Sequence, residues 1–155
     1  MSEINEYADD FFADTRPKTF EKVVLNKVVT ATIKDVSKMR SNPDNAVGKD
    51  KKGDREFNKL YFTVIYQLEE PIDGNTEIYE SYGFRFYTDK KEIWYGSKDS
   101  ACGKLVDVLI KNVAALSDTP SPVELKAALL GKKVKIVSEG FGPNKSMKVM
   151  IASFL

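Results

Sequence analysis

The chain contains no histidine, one cysteine and one tryptophan in 155 residues. Without histidine there is no imidazole general base, no commonest metal ligand, and no Ser-His or Cys-His nucleophile. A single cysteine, Cys102, excludes an internal disulfide framework, suits a reducing compartment and leaves no ligand set for structural zinc. Calcium-loop spacing is also missing. Glu69 and Glu70, the pair that a glycosidase reading needs, are neighbours whose side chains leave a strand on opposite faces. No apolar run approaches the ~20 residues that span a bilayer. The acidic start lacks the basic and apolar regions of a secretory signal. These absences predict a cytoplasmic protein that is not an enzyme, with no catalytic residue, metal or cofactor.

What is present suits one domain. At this length, with 42% hydrophobic residues, a chain can bury a real core. The net charge of +1 conceals an asymmetry: residues 1–15 hold five acids and no Lys or Arg, so the remainder carries +6. Such a division describes an acidic tail on a basic body. Residues 1–20 mix those acids with Tyr7, Phe11, Phe12 and Phe20 without strand or helix period, and are expected to be a flexible tail. Thr15-Arg16-Pro17 marks its boundary, because the residue before proline is pushed away from helix. Residues 21–155 are expected to form one domain.

The domain is organised around a hairpin. Leu60 to Leu68 and Thr76 to Thr88 are rich in aromatic and β-branched residues and flank the turn-forming Asp73-Gly74-Asn75. Leu60, Phe62, Val64, Tyr66 and Leu68 share the candidate core face, as do Ile78, Tyr82, Phe84 and Phe86, interrupted by Glu80. Gly83 marks a place where a bulge could reverse that parity. Before the hairpin, Glu21–Met39 reads as a long strand whose apolar alternation switches, as where a sheet curls. Residues 40–58 read as a basic loop. After it, Trp94 and Tyr95 lean outward in a polar setting. Helical spacing follows from Cys102 to Leu116, behind the cap Ser100. A second helix opens with the capping box Ser121-Pro122-Val123-Glu124 and stops at Gly131. A second hairpin closes the chain, turning at Gly140–Lys145, with Met147, Val149 and Ile151 as the final core face.

Long strand, strand, strand, helix (here two), strand, strand is an element order that resembles the OB-fold. Two local patterns share that resemblance: Lys51-Lys52-Gly53-Asp54-Arg55-Glu56-Phe57-Asn58-Lys59-Leu60-Tyr61-Phe62, and Leu130-Gly131-Lys132-Lys133-Val134-Lys135-Ile136-Val137. Both are similar to OB-fold single-stranded-DNA-binding proteins of the small phage and prokaryotic replication-accessory type. The resemblance implies a mainly β fold: a five-stranded Greek-key barrel with one or two helices between its third and fourth strands. An α+β sandwich is the alternative with the same ingredients.

It implies a site as well. In OB-folds the second and third strands and two flanking loops hold the ligand. Transferred to this sequence, that face carries Tyr61, Tyr79, Arg85 and Tyr87, joined by Trp94. The loops contribute Lys51, Lys52 and Arg55 on one side and Lys145 on the other, and Lys133 and Lys135 share the outward parity of the fourth barrel strand. Cations for phosphates and rings for unpaired bases are what single-stranded nucleic acid requires. The implied function is non-specific single-stranded DNA binding in replication, recombination or repair. The competing reading is an assembly subunit whose aromatic face meets another protein. Expected partners are single-stranded DNA, with RNA and a second copy of the chain as further candidates, and no membrane. Replication proteins would be met through Asp9, Asp10, Phe11 and Phe12, in loose analogy to acidic tails of bacterial single-strand binders.

Overall fold

The computed structural model describes residues 22–38, 47–49, 55–87, 89–113 and 116–155. The expected tail, with Asp9, Asp10, Phe11 and Phe12, and the loop lysines Lys51 and Lys52 lie outside the described residues. Seven strands, β1 (Val29–Lys38), β2 (Val47–Lys49), β3 (Glu56–Ile72), β4 (Asn75–Tyr87), β5 (Glu92–Trp94), β6 (Lys133–Phe141) and β7 (Ser146–Phe154), form one antiparallel sheet. The helices α1 (Ala101–Asn112) and α2 (Pro122–Leu129) fall between β5 and β6. The sheet runs β5-β4-β3-β1-β6-β7, with β2 set beside the first residues of β3. The fold is mainly β.

Two features of the expected barrel are corrected. The sheet has seven strands rather than five, and among the described residues no backbone ladder joins β4 to β7 to close it. Side chains bridge that seam instead. Both polar backbone groups of Val149 are taken by β4: its N–H donates to Glu80 Oε1 at 2.8 Å, and its carbonyl accepts from the Tyr82 hydroxyl. Lys148 Nζ donates to the Ser81 carbonyl at 2.9 Å and lies 3.5 Å from Glu80 Oε2. Glu80, which breaks the apolar alternation of β4, is therefore a buried acid that stands in for a missing strand contact. The Tyr66 hydroxyl continues the chain onto Tyr82 at 2.9 Å, and burial pushes both phenols well above their ordinary pKa.

Of the long strand expected over Glu21–Met39, the described residues form strand only at Val29–Lys38, and the alternation switches inside β1. Ala31 and Ile33 are buried, then Val36, because a bulge between Ile33 and Asp35 reverses the inward parity. The same strand pairs with β3 on one side and β6 on the other. Gly83, by contrast, causes no reversal: β3 and β4 stay in continuous register from Asn58↔Phe86 to Gln67↔Glu77. The loop expected over residues 40–58 is shorter, since Val47–Lys49 pairs with Glu56–Asn58.

The helices cover the inner face of the sheet. Ser100 caps α1 by accepting from the Gly103 amide at 3.2 Å, and Ser121 and Glu124 form the capping box of α2. Gly103 has no room for a side chain, because a Cβ there would lie 1.9 Å from the Ser97 carbonyl oxygen. The first helix ends at Asn112, so Leu116 follows it instead of belonging to it. Cys102, Leu105, Leu109, Leu125 and Leu129 enter one core with Phe62, Tyr66, Tyr82 and Phe84. In β7 three consecutive residues, Val149, Met150 and Ile151, are buried. The strand lies at the seam, and both its faces are covered.

Candidate nucleic-acid interface

Strand parity makes the site. With Leu60, Phe62 and Val64 turned inward, β3 turns Phe57, Lys59 and Tyr61 to the other face. The register sets Lys59 and Tyr61 against Arg85 and Gly83 on β4, and the buried Phe57 ring lies 5.6 Å from that of Tyr87. Trp94 of β5 pairs with Arg85 on the other side. Trp94 and Tyr61 are 44% and 40% exposed, the largest aromatic surfaces of the described residues. Tyr95 turns inward instead: it is buried against Phe84 at 5.5 Å and donates to the Pro120 carbonyl at 2.5 Å, which fixes the segment carrying Trp94. The outward lean expected of Tyr95 is thereby corrected.

A groove of about 380 Å³ opens between these elements, walled by Tyr61, Phe57 and Trp94 with Lys59 and Arg85 as its cations and Gly83 in its floor. The Tyr61 ring lies across Gly83, where a Cβ would stand 2.7 Å from Cε1. An aromatic ring shielding a cross-strand glycine is a familiar repair of a strand weakness, and here it fixes an exposed ring.

Arg85 is the centre of the arrangement. Its guanidinium lies 4.1 Å from the Phe57 ring centre and 4.7 Å from that of Trp94, and donates to the Tyr87 hydroxyl at 3.2 Å. Cation–π contacts are worth about 0.5–1 kcal/mol each at exposed sites and hold the charge in place without neutralising it. Lys59, directly opposite on β3, has no carboxylate partner among the described residues, and neither has Arg85. Arg55 differs. Asp89 takes its Nε at 3.0 Å and Nη2 at 2.8 Å, with Glu92 at 3.5 Å, and the guanidinium covers the Tyr87 ring at 4.2 Å. That contact holds the Asp89 carboxyl below its usual range.

The other expected residues are placed elsewhere. Tyr87 is only 8% exposed, sealed by Arg55 and the edge of Phe57, so its ring offers no free face. Tyr79 is half-buried toward the opposite end of β4 and donates to Glu77 at 2.7 Å. Burial and that carboxylate push its phenol up to about 12. Lys133 and Lys135 pair with Thr32 and Thr30 of β1, on the same outer face but away from the groove, and Lys133 lies 3.8 Å from Glu69. Lys145 sits at positive φ in the exposed β6–β7 turn. Of the expected site residues, the structure gathers Tyr61, Arg85 and Trp94 around one groove and Arg55 and Tyr87 beside it.

Sequence reasoning missed Phe57 and Lys59. Both share the parity of Tyr61; Phe57 fell inside the loop expected over residues 40–58, whereas Lys59, just beyond it, had only that parity to mark it. Cys102 is buried and its thiol is raised by that burial, the opposite of a reactive nucleophile. No metal-ligating cluster of three acids or cysteine occurs among the described residues. No helix of the described residues is long and apolar enough to cross a membrane. No family model matches the chain and no curated protein resembles it at a significant level.

Proposed function

We propose that the chain binds single-stranded DNA with little dependence on sequence, in replication, recombination or repair, by stacking bases on Tyr61 and Trp94 and holding phosphates with Lys59 and Arg85. One observation carries this reading: two cations stand directly opposite each other on the outer sheet face, and neither has a carboxylate ion pair among the described residues. Like charges so placed cost roughly 0.2–1 kcal/mol in an antiparallel pair. A bound phosphate would turn that cost into attraction, and the two exposed rings beside it would add about 1–3 kcal/mol for each base stacked.

The architecture supports the same conclusion. With β2 and β5 set aside, the order β4-β3-β1-β6-β7, helices preceding β6, and a seam between β4 and β7 favour reading the sheet as a partly open OB-like barrel. The groove then lies on the pair of strands that bind ligand in that architecture, although fold alone does not assign function. The acidic stretch with Asp9, Asp10, Phe11 and Phe12 remains the proposed contact for replication proteins.

Trp94, the only tryptophan, reports directly on the groove. Titration with oligo-dT should quench its fluorescence saturably, and the affinity should drop steeply between about 50 and 200 mM salt as counterion release weakens. Arg85→Ala should loosen binding about tenfold. Arg55→Ala should act less, because Asp89 already neutralises that charge. No response to oligo-dT, together with a stable oligomer, would overturn the proposal in favour of an assembly subunit.

A further inference from the structure

A second pocket, of about 300 Å³, lies on the far side of the Arg85–Trp94 pair and shares both residues with the groove. Its other walls are Arg55, Tyr87, Glu92 and Ile93. We infer that this pocket is a base-edge subsite that accepts a nucleobase bearing an exocyclic amino group, cytosine above all, in preference to uracil or thymine, with Glu92 as the residue that selects. The inference rests on the single-strand reading and adds a local preference to otherwise sequence-tolerant binding.

Charge distinguishes the two cavities. The groove is lined by Lys59 and Arg85 and no acid, a setting for phosphate. In the second pocket the cations Arg55 and Arg85 are joined by the Glu92 carboxylate, with Asp89 already bound to Arg55. A phosphate there would meet the Glu92 charge. A neutral base would meet instead the exposed face of Trp94, half-buried Ile93 and a carboxylate acceptor. Asp89 takes the guanidinium of Arg55 through two hydrogen bonds, whereas Glu92 makes only a longer ion pair with it, at 3.5 Å from one oxygen. The Glu92 side chain is 53% exposed and keeps lone pairs for a ligand.

A carboxylate accepts from the N4 amino group of cytosine, a pairing that acidic side chains use to read that base. Uracil presents a carbonyl at the same position, and two acceptors would then face each other. Because Arg85 and Trp94 belong to both cavities, a strand crossing this pair can leave a phosphate near Arg85 and place the next base against Glu92.

Deoxycytidine and deoxyuridine octamers differ only along that base edge and make the test, with Trp94 fluorescence as readout. The wild-type chain should bind the deoxycytidine octamer several-fold more tightly. Glu92→Ala should bring the two affinities together by weakening the deoxycytidine complex, while deoxyuridine binding, unchanged or slightly tighter, reports that the variant is folded. Equal affinities in the wild type would overturn the subsite and leave single-strand binding standing. Selectivity that survives in Glu92→Ala would overturn the role of Glu92. Failure of both octamers and of oligo-dT to bind would overturn the single-strand reading itself.

Discussion

Gly83 shows how one missing side chain serves the face. A glycine within a strand costs roughly 0.5–1 kcal/mol relative to alanine, yet here its empty position receives the Tyr61 ring. In Gly83→Ala the new Cβ would meet Cε1 at 2.7 Å, and the ring, being 40% exposed, has room to swing away. The gain in strand propensity and the cost of an off-rotamer tyrosine, about 0.5–1.5 kcal/mol, should nearly cancel. Thermal unfolding should therefore shift by no more than about 4 °C. Oligo-dT affinity, which depends on where the ring lies, should fall roughly fivefold as part of one base stack is lost. A variant that binds normally would show that Tyr61 takes no part.

At the scale of elements, the seam between β4 and β7 is held by side chains where a ladder would otherwise run. Glu80→Ala removes the acceptor for the buried Val149 N–H and leaves Lys148 without its carboxylate. Stranding a buried donor costs about 1–3 kcal/mol, so urea unfolding should show a loss near the upper end of that range. The Val149 amide should also exchange much faster. Glu80→Gln keeps an acceptor oxygen and should cost less; equal losses in the two variants would mean that packing, not the hydrogen bond, closes the seam. This strand pair also shows what was readable in advance. Alternation gave the faces of β3 and β4, and the caps at Ser100 and Ser121 marked both helices, because those signals are local. The use of Glu80 was hidden, since its partner lies 69 residues along the chain. The groove was half legible for a similar reason. Tyr61, Arg85 and Trp94 stood out by residue type, but nothing local showed that Arg55 would cover Tyr87 or that β5 would lay Trp94 beside Arg85.

Over the whole molecule, the charge division has a consequence for binding that the groove alone does not. Residues 1–15 carry −5 against +6 on the remainder, and that remainder holds the facing pair Lys59 and Arg85. An acidic segment tethered to a cationic face competes with phosphate at a high effective concentration, without needing a fixed structure of its own. Removing residues 1–15 should therefore tighten oligo-dT binding at low salt. The gain should shrink as ionic strength rises, because the Debye length falls from about 30 Å at 0.01 M to about 8 Å at 0.15 M. Charge must be separated from mere bulk, so a full-length chain with Glu3, Glu6, Asp9, Asp10 and Asp14 changed to their amides is the better comparison. If competition is electrostatic, the amide chain and the truncated chain should bind alike, both more tightly than the wild type. If the truncated chain alone gains, the aromatic residues Phe11 and Phe12 occupy the face through their rings. If neither gains, the tail leaves the groove alone.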